Sequence, residues 1–565
     1  MINHHAKMGN PKGSSDFCFA GSSKTGWLQF LAIIICATAG ALSVAMGPDN
    51  NWDLRYYHLY APWAYLHGRY LYDIAPAQSQ GFFNPTADFL FYAQISSRLN
   101  EAPRIIAFIM GAVHGLNAVL ILTIAVHVIR PRRQWERTLL RAVAFLVGAS
   151  GAGFISLLGT TTNDPIASIF VLASLLRLLK IEEGMGSSAA WSRFAWPGAL
   201  AGAGFGLKFT AAIFLPGLTL VALIVASRNK TAIGLLAFTL VLVLAFLAVA
   251  GHHLLTLWLD FGSPVFPWLN NIFHSSYYEP VPLRDTRFVA RDFGQLLTYP
   301  FYWTTTNIYL VSELAFRDWR GAIAYIAGVA GVLVRAAAAV QKRSGPAIAQ
   351  TPGLGLVLIF VAVSYLSWAV AFGIYRYAVV LELLTGIVAV GALMWVLEDC
   401  MLRISTSVLM LAVAAMTTIY PDWGRGEHPS EGIRPAQFGD KYIDVRVPSL
   451  PTNSLVLIAT SDPVAYFIPF AEPTARYLGI ENNLLSFSQD NKLAAEVKRL
   501  MQTPGPPKFI LNVGAFDGEK LTRLLAQYEL RLDASPCLSI RSNLEEHVLS
   551  LCPVAAGEPN TGRAR

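Results

Sequence analysis

Charged side chains are scarce in this chain of 565 residues. Only 14% of the residues are Asp, Glu, Lys or Arg, whereas 54% are hydrophobic and the mean hydropathy is +0.45. Soluble globular domains contain about 25% charged residues. The apolar residues lie in many separate runs of about the length that crosses a bilayer. The composition therefore excludes an ordinary soluble domain and predicts a polytopic α-helical membrane protein.

The short motifs of many soluble enzymes are missing as well. The sequence contains no CxxC, no HExxH, no Walker A loop and no GxGxxG followed by a soluble βαβ unit. Metal fingers, zinc proteases and soluble nucleotide sites therefore have no support. Net charge is +7, but Lys and Arg collect in short loops between apolar runs. This distribution is typical of the positive-inside rule, so we predict no nucleic-acid partner.

Eleven apolar runs predict about 11 membrane spans, with ends uncertain by a few residues. The predicted spans are 27–46, 104–129, 138–158, 164–181, 194–207, 209–227, 231–251, 321–340, 353–373, 377–397 and 403–420. Ser43-Val44-Ala45 resembles a signal-cleavage site, but the first run is longer than the apolar core of a signal peptide, about 7–15 residues. We therefore expect a cytoplasmic tail over 1–26 and a retained first span.

The basic residues give the predicted spans an orientation. With the N-terminus inside, nearly all compact basic clusters fall on the inner side, as the positive-inside rule requires. These clusters are Arg130, Arg132, Arg133 and Arg137; Arg177, Lys180 and Arg193; Arg228 and Lys230; Lys342 and Arg343; and Arg403. The outer side then receives two long loops (47–103 and 252–320), three short polar turns and everything after 420. All segments with unusual ionisable residues share that face.

Residues 421–565 differ in character from the apolar part, 27–420. Strand-like segments such as VLIA and FILNV alternate with helical patterns and a PGPP break, which predicts a small α/β domain outside the membrane. Of the five cysteines, Cys537 and Cys552 lie in this domain. A disulfide closing that loop of about 15 residues contributes roughly 3 kcal/mol, and an oxidising compartment permits it. Cys18, Cys36 and Cys400 are expected to be thiols.

The first outer loop, 47–103, contains the strongest candidates for catalysis. Asp53 precedes closely spaced aromatics, a pattern that suggests a helix lying in the membrane interface. A transferase needs a base for the acceptor hydroxyl, and burial among aromatics raises the pKa of a carboxylate toward the working range. Asp49 is either a second catalytic acid or a turn residue in GPDN. His58 either shuttles a proton or binds phosphate, or is simply hydrogen-bonded; His67, Arg69 and Asp73 rank lower.

Two further candidates begin or separate predicted spans. Asp164 precedes Pro165 at a helix start, which is an ordinary cap arrangement, but it also faces the predicted outer cavity and is a candidate for binding a sugar hydroxyl or a cation. Lys208, in GLKFT, is an ionisable group at the membrane edge, where function is the default hypothesis. Its natural partner is a lipid phosphate, and snorkelling to headgroups is the alternative.

Arginines on the outer side complete the candidate set, because a guanidinium binds phosphate through two hydrogen bonds. The predicted phosphate ligands are Arg284, Arg287, Arg317, Arg320 and Arg376, with Tyr375 beside the last. Interleaved acids such as Asp318 make some of these arginines structural. An ion pair between Arg376 and Glu382 is the structural alternative for the YRY turn.

The order of these elements resembles the GT-C superfamily of membrane glycosyltransferases. The segments concerned are WDLRYYHLYAPWAYLHGR, FNP, GLKFT, FGSPVFPWLN, FRDWR and YRYAVVLE, within 27–420. They are most similar to the bacterial branch near the polyprenol-phosphate-mannose-dependent mannosyltransferases. The resemblance implies that Asp53, or else Asp49, is the catalytic acid of the first loop, and that Asp164 is the second-turn acid. Many members have two adjacent acids in the first loop, whereas these two are four apart.

The resemblance implies a function as well as a fold. We expect inverting transfer of a hexose or pentose from a polyprenyl-phosphate donor to a cell-envelope glycan, lipid or protein. The enzyme would lie among lipids of the bacterial inner membrane, with its C-terminal domain in the periplasm. In this superfamily the requirement for a divalent cation varies by branch. If one binds here, we expect Mg²⁺ or Mn²⁺ held by Asp53 and Asp164. The alternatives are a transporter or flippase for lipid-linked sugars, which would favour internal repeats, and a non-catalytic envelope scaffold.

Overall fold

A computed structural model describes residues 20–184, 189–305, 311–341, 350–425, 437–544 and 547–557. Most of the predicted tail (1–26) lies outside these ranges, as do Cys18, Lys342 and Arg343. The described part is mostly helical up to residue 417 and contains a small sheet after residue 444. The predicted class, a helical membrane protein with a C-terminal α/β region, is confirmed.

Nineteen α-helices, numbered here in chain order, make up the helical part of the described chain. The first eleven are α1 Ala20–Ala45, α2 Tyr60–Leu66, α3 Phe89–Ile95, α4 Pro103–His114, α5 Leu116–Val128, α6 Gln134–Ala149, α7 Ala152–Ser156, α8 Asp164–Glu182, α9 Ala190–Leu207, α10 Leu215–Arg228 and α11 Ala232–Phe261. The others are α12 Asn270–Phe273, α13 Phe293–Tyr302, α14 Arg320–Val340, α15 Leu354–Ala371, α16 Val379–Val396, α17 Cys400–Thr417, α18 Lys492–Gln502 and α19 Gly518–Ala526.

Eight helical segments of the described chain are long and apolar enough to cross a membrane, which marks a multi-pass membrane protein. They are Leu28–Ala45, Pro103–Val128, Phe209–Arg228, Ala232–Phe261, Arg320–Val340, Leu354–Ala371, Tyr375–Val396 and Cys400–Thr417. The other three predicted spans correspond to α6, α8 and α9. Helix α6 has only 16 residues, α8 contains four charged residues, and α9 contains an arginine together with many glycines and tryptophans.

Small residues allow α9 and α11 to pack at close range. Gly198, Gly202 and Gly206 lie one turn apart on the face of α9 that meets α11. A Cβ atom added at Gly198 would lie 2.3 Å from the carbonyl oxygen of Phe238, and one at Gly202 would lie 2.1 Å from that of Leu242. This spacing is the small-residue pattern by which membrane helices associate. Because this contact fixes α9 against α11, Lys208, which follows α9, has a fixed position along the axis of the bundle.

The C-terminal region forms one seven-stranded sheet. Its strands are β1 Val445–Arg446, β2 Leu455–Ala459, β3 Arg476–Ile480, β4 Lys508–Val513, β5 Leu530–Leu532, β6 Leu538–Ser542 and β7 Leu549–Ala556. The order is β1-β6-β7-β4-β2-β3, with β5 also paired to β7. Strand β2 is parallel to β3 and β4, and β7 is antiparallel to β4. A disulfide joins Cys537 to Cys552 of β7.

The sheet is not an isolated appendage, because it shares one hydrophobic core with the first outer loop. Leu54, Tyr57 and Ala64 of that loop belong to the same buried cluster as Val456 and Leu478 of the sheet. The spans have a second, separate cluster that includes Leu175 and Leu384. The first outer loop therefore lies between the membrane bundle and the sheet, and packs as part of the latter.

Polar contacts fix the edge of the sheet on this loop. Ile74 pairs with β3, donating its N–H to the carbonyl of Tyr477 at 2.9 Å. Arg69 forms an ion pair of 2.7 Å with Asp73 and also donates to the carbonyl of Ala475 at 2.6 Å. Asp73 in turn accepts from the N–H of Tyr477 at 3.0 Å. These two charged residues of the loop therefore dock the C-terminal region.

Candidate functional site

Two carboxylate–cation pairs meet where the membrane bundle borders the first outer loop. Asp53 lies 2.7 Å from Arg376, and Asp164 lies 2.6 Å from Lys208. The side chains of Asp53 and Arg376 are 12% and 17% exposed, so the first pair is largely buried but retains contact with solvent. The ring of Tyr377 is close to both cations: its centroid lies 5.4 Å from the Arg376 guanidinium carbon and 5.6 Å from the Lys208 nitrogen. Four predicted residues from distant parts of the chain thus form one polar site.

Each of these side chains stands at the end of a helical element. Asp53 immediately precedes a π-helical turn, Leu54–His58, of the kind that often marks functional sites. Asp164 begins α8, with Pro165 next to it. Lys208 follows α9 in an extended conformation, and Arg376 lies in a 3₁₀ turn that leads into α16. Helix ends bring side chains to one level without interrupting the apolar spans.

The electrostatics of Asp53 differ from our expectation. Burial alone raises the pKa of this carboxyl group, but the charge and hydrogen bond of Arg376, with smaller effects from His58 and Lys208, lower it below the usual value. The prediction that aromatic burial raises the pKa of Asp53 is therefore wrong for this arrangement. Asp53 is an ionised carboxylate at neutral pH, and its basicity depends on what occupies Arg376.

The TTTND turn before α8 links the parts of the site. Thr161 donates to Asp49 through its N–H at 2.7 Å and its hydroxyl at 2.8 Å. Asn163 donates to Asp88 at 2.9 Å, and the next residue, Asp164, binds Lys208. Three side chains of one turn therefore hold three different segments of the outer face.

Asp49 is a structural residue in this arrangement. It is 1% exposed, and its carboxylate accepts from the backbone and side chain of Asn51 as well as from Thr161. Both oxygens are engaged in these bonds, so a substrate hydroxyl would have to displace one of them. Of the two open alternatives for Asp49, the structure favours the turn residue that positions the loop.

His58 is held by a residue that we had not singled out. Its Nδ1 atom lies 2.7 Å from Asp88, which is 2% exposed and is also bound by Asn163. Asp88 follows Phe83-Asn84-Pro85, and the sequence there indicates only a turn. No local sequence pattern indicates that Asp88 pairs with a histidine 30 residues away.

A small pocket opens on the Lys208 side of the site. It is lined by Asp164, Ala167, Ser168, Lys208, Thr210, Ala211, Phe214 and Tyr377. Near the other pair, two buried polar atoms lack a hydrogen-bond partner within the described residues: Nε of Arg376 and Oε2 of Glu313. Buried polar groups are normally paired, and the exceptions call for an explanation such as a ligand. The site therefore has unused hydrogen-bonding capacity.

The other predicted phosphate ligands lie outside this pocket. Arg284 is exposed and donates to the carbonyl of Val370 at 2.7 Å. Arg287 is exposed and pairs with Asp285 at 2.7 Å, yet its charge is near enough to act on Tyr377 and Glu313. Arg317 donates to the carbonyl of Thr417 at 2.7 Å. Only Arg287 is therefore placed to influence the site, and it does so from the rim.

Arg320 and Tyr375 belong to a buried structural cluster and not to the pocket. Arg320 is 1% exposed and binds Asp318 at 3.0 Å, along with the carbonyl of Val147. Tyr375 donates to Glu382, which also accepts from the N–H groups of Gly153 and Phe154. The roles we predicted for these two residues in substrate binding do not fit their burial. Glu382 pairs with Tyr375, so the alternative pairing of Arg376 with Glu382 is also wrong.

The acidic residues of the site do not suit a divalent cation. The described ranges contain no group of three Asp, Glu, His or Cys side chains that could hold a metal ion. Asp53 and Asp164 each bind a cationic side chain instead. Mg²⁺ and Mn²⁺ prefer several oxygen ligands, and these two carboxylates would have to leave their partners to provide them.

The segment after the last span also reaches the site region. Arg425 is 3% exposed and donates to the carbonyl of Gly47 at 2.6 Å and to that of Leu158. Tyr56, one turn from Asp53, donates to the carbonyl of Ser461 at 3.2 Å. The C-terminal region therefore contributes to the walls around Asp53, which its distance along the chain did not indicate.

Comparisons with known proteins give one structural likeness. No protein-family model matches the sequence, and no curated protein matches it either. Among solved structures, the chain is similar to the crystal structure of ArnT from Cupriavidus metallidurans bound to undecaprenyl phosphate. The identity is 11%, the likeness covers 94% of this chain and 98% of that chain, and the TM-score is 0.33. At this level the likeness identifies neither a reaction nor a substrate for this chain.

Proposed function

We propose that this protein is a GT-C-type glycosyltransferase that uses a polyprenyl-phosphate-linked sugar. One observation supports this most directly. Two carboxylate–cation pairs share a small polar site at the edge of the membrane bundle, and Arg376 there has a donor atom that meets no partner in the described part of the chain. A lipid phosphate can reach such a site from the bilayer while a hydroxyl acceptor approaches from water.

The phosphate would bind between the two cations. Arg376 offers a guanidinium that can bind two phosphate oxygens, and Lys208 offers a point charge near the same Tyr377 ring. The same cations stabilise the charge that develops on the leaving phosphate during transfer. The lipid chain would extend between spans, which explains why the cations lie at the membrane edge.

Phosphate binding would also activate Asp53. When the phosphate occupies Arg376, Asp53 loses the partner that lowers its pKa, and the effect of burial, which raises the pKa, dominates. Asp53 then accepts the proton of the acceptor hydroxyl. The bond from that oxygen to the anomeric carbon forms as the bond to the phosphate oxygen breaks, and the products are a glycoside and a polyprenyl phosphate. Backside attack inverts the anomeric configuration.

The proposal includes the cellular setting. The site would face the periplasm from the bacterial inner membrane, with the N-terminus in the cytoplasm. Basic residues support this orientation, because Arg130 and Arg228 pair with Glu183 and Glu182 at the helix ends remote from the site. The acceptor would be an envelope glycan, lipid or protein, approaching beside the C-terminal region.

The test is an assay in liposomes that contain the purified protein. Polyprenyl-phosphate hexoses and pentoses would be supplied together with an envelope extract, and release of polyprenyl phosphate would be measured by mass spectrometry. Asp53→Asn should lower turnover by about 10²–10⁴-fold, the usual contribution of a general base, while binding of polyprenyl phosphate persists. Asp444→Asn, which changes an exposed carboxylate paired with Arg446, is the matched control and should leave turnover unchanged.

Other outcomes would overturn the proposal. Transfer that is unaffected by Asp53→Asn would exclude this residue as the base. Movement of intact lipid-linked sugar between leaflets without cleavage would indicate a flippase. Absence of both activities with every donor, from protein that is folded, would favour the scaffold.

A further inference from the structure

The carboxylate of Glu313 differs from the other enclosed acids that the structure describes. Glu313 is partly buried, and its Oε2 atom is buried without a hydrogen-bond partner among the described residues. Glu136 and Asp422 also have a buried oxygen without a hydrogen bond. However, Glu136 forms an ion pair with Arg403 at 2.8 Å, and Asp422 accepts from two backbone N–H groups through its other oxygen. Of these three acids, only Glu313 has neither kind of partner within the described ranges.

The segment around Glu313 is fixed against the turn that contains Arg376. Phe316 stacks on Tyr375, with the two ring centroids 4.0 Å apart, and both residues are buried. Tyr375 immediately precedes Arg376 in the chain. On the other side of Glu313, Ser312 is 0% exposed, and its hydroxyl accepts from the backbone N–H two residues further on at 3.2 Å. The carboxylate is therefore held in a defined place beside the site.

The charge of Glu313 reaches several residues of the site. It acts on Arg376 and Tyr377, which lie together, and on Arg287 at the rim. Glu313 nevertheless forms no ion pair with either arginine among the described contacts, because each arginine has a different carboxylate as its partner. A carboxylate that is partly buried in this way costs free energy unless a ligand or water binds it.

Arg376 and Glu313 leave the two complementary halves of a hydrogen bond unused. Nε of Arg376 is a donor and Oε2 of Glu313 is an acceptor, and both are buried without a partner in the described part of the chain. A phosphodiester oxygen only accepts, so it satisfies the arginine, whereas the carboxylate repels its charge. Glu313 needs a group that donates. A sugar linked to phosphate offers both kinds of group, because the phosphate accepts and the hydroxyls of the ring donate.

We propose that Glu313 binds a ring hydroxyl of the sugar that is transferred, and so helps to select the donor. The inference rests on the proposed transferase function and adds the residue that recognises the sugar. The hydroxyl donates to Oε2 of Glu313 while the phosphate is bound by Arg376. Few bonds separate the phosphate from the ring hydroxyls, so one bound molecule reaches both side chains.

This role also distinguishes the donor from the product. The polyprenyl phosphate that remains after transfer has no sugar hydroxyl, so Glu313 loses its partner and only repels the phosphate charge. A donor that lacks the hydroxyl leaves the carboxylate unsatisfied in the same way, and sites that hydrogen-bond a substrate hydroxyl reject such analogues for this reason. Glu313 therefore favours binding of the intact donor and release of the lipid product.

A second glutamate of the same outer loop offers a matched control. Glu279 is also partly buried and has no side-chain hydrogen bond or ion pair within the described residues, but its oxygens are not enclosed. Its charge acts on Tyr278. Glu279→Ala therefore removes the same functional group from the same loop without touching the proposed contact.

The first measurement is binding and needs no turnover. Protein in lipid nanodiscs would be titrated with polyprenyl phosphate and with polyprenyl-phosphate mannose, glucose and arabinose. The sugar-linked lipid that binds most tightly serves as the donor. Glu313→Ala should lower affinity for this donor by about 10–100-fold, the usual effect of losing a hydrogen bond to a charged group. Affinity for polyprenyl phosphate should stay the same or rise, which also shows that the variant is folded. Glu279→Ala should leave both affinities unchanged.

The second measurement identifies the hydroxyl. Analogues of the donor that each lack one ring hydroxyl would be bound to the unaltered protein and to Glu313→Ala. The unaltered protein should bind one analogue about 10–100-fold more weakly than the donor, whereas Glu313→Ala should bind that analogue and the donor equally. Glu313→Gln, which retains a neutral acceptor, should discriminate to an intermediate degree.

The outcomes separate this inference from the proposed function. If the unaltered protein binds none of the four lipids, the proposed function fails and the role of Glu313 fails with it. If it binds a donor, the role of Glu313 is overturned by equal losses for donor and polyprenyl phosphate, by a loss that Glu279→Ala reproduces, or by discrimination among the analogues that persists in Glu313→Ala. In each of those cases the transferase function stands.

Discussion

Two clusters of the same residue types lie side by side at the end of the membrane bundle and differ in how fully they are paired. In one, Arg376 binds Asp53 while its Nε atom has no partner among the residues that the structure describes, and Lys208 binds Asp164 at the edge of a pocket. In the other, Arg320 binds Asp318 and both are 1% exposed. Tyr375 and Arg376 are consecutive, yet each belongs to a different cluster.

Saturation of hydrogen bonds separates a structural cluster from one that can bind a ligand. Every nitrogen of the Arg320 guanidinium has a partner: Val147, Asp318 with Thr418, and Ser150. Glu382 accepts from two backbone N–H groups and from Tyr375. A ligand has nothing to bind there. The Asp53 cluster leaves donor and acceptor atoms unused, and so it can exchange an internal partner for a substrate without loss of the fold.

The largest expected effect is on folding. Arg320→Gln leaves Asp318 as a buried charge without its cation, and breaking a buried ion pair in this way typically costs about 3–5 kcal/mol. We expect little folded protein after extraction, measured by monodisperse yield and thermal unfolding in detergent. Arg376→Gln, in the cluster that is not saturated, should retain near-normal yield while turnover is lost. Equal yields from both variants would contradict the distinction between the clusters.

A smaller effect should separate two tyrosines of the same turn. Tyr375→Phe removes the hydroxyl that donates to Glu382 and lies 3.3 Å from Asp318, and a hydrogen bond to a charged group contributes about 1.5–3 kcal/mol. Tyr377→Phe retains the ring that lies near both cations and should change stability by less than about 0.5 kcal/mol. Thermal unfolding of the two purified variants, measured side by side, checks the contrast. A Tyr377→Phe variant as unstable as Tyr375→Phe would place Tyr377 in the structural cluster.

The same contrast explains which parts of the site the sequence could predict. Asp53, Asp164, Lys208 and Arg376 were predictable because each is a charged residue at the end of an apolar run, where charge is costly without a purpose. Arg320 and Tyr375 have the same local pattern, and only the packing of α6 and α16 shows that they face inward. Sequence patterns place a charged side chain at a helix end, but they do not show how many hydrogen-bond partners it has in the fold.

Contacts between distant segments were the other part that could not be predicted. Asp88 and Asn163 lie in turns whose residues are explained by backbone geometry alone, so their bond to each other has no separate signal. The sequence showed that Arg69 and Asp73 are charged residues in an aromatic loop. It did not show that they bind β3 and the residue before it, which lie about 400 residues further along the chain. The fold class followed from hydropathy. The shared core of the first loop and the C-terminal sheet depended on tertiary contacts that no local pattern specifies.

A pH effect on stability should be smaller still. Arg376 holds the pKa of Asp53 below its usual value, so the pair stabilises the protein above the pH at which Asp53 ionises in the unfolded chain, and this contribution is lost as pH falls through the lower, folded value. Asp53→Asn should therefore cost up to about 1 kcal/mol at pH 7 and nothing at the most acidic pH that the protein tolerates. Thermal unfolding across pH checks this. An equal cost at every pH would mean that the pair contributes no stability through its charge.

The smallest expected effect is at the rim of the site. Arg287 pairs with Asp285, and the arginine side chain is 66% exposed, so Arg287→Gln should leave stability unchanged, as is usual for surface pairs. Its charge still lies near Glu313 and Tyr377 and would attract an anionic donor toward the cations beneath. We expect a two- to threefold rise in KM for the donor at low salt, with kcat unchanged, and no difference at high salt, where screening removes the attraction. Arg446→Gln, in an exposed pair on the C-terminal sheet, controls for loss of surface charge. A change in kcat, or an effect that persists at high salt, would instead place Arg287 in contact with the substrate and extend the unsaturated cluster outward to the loop that contains it.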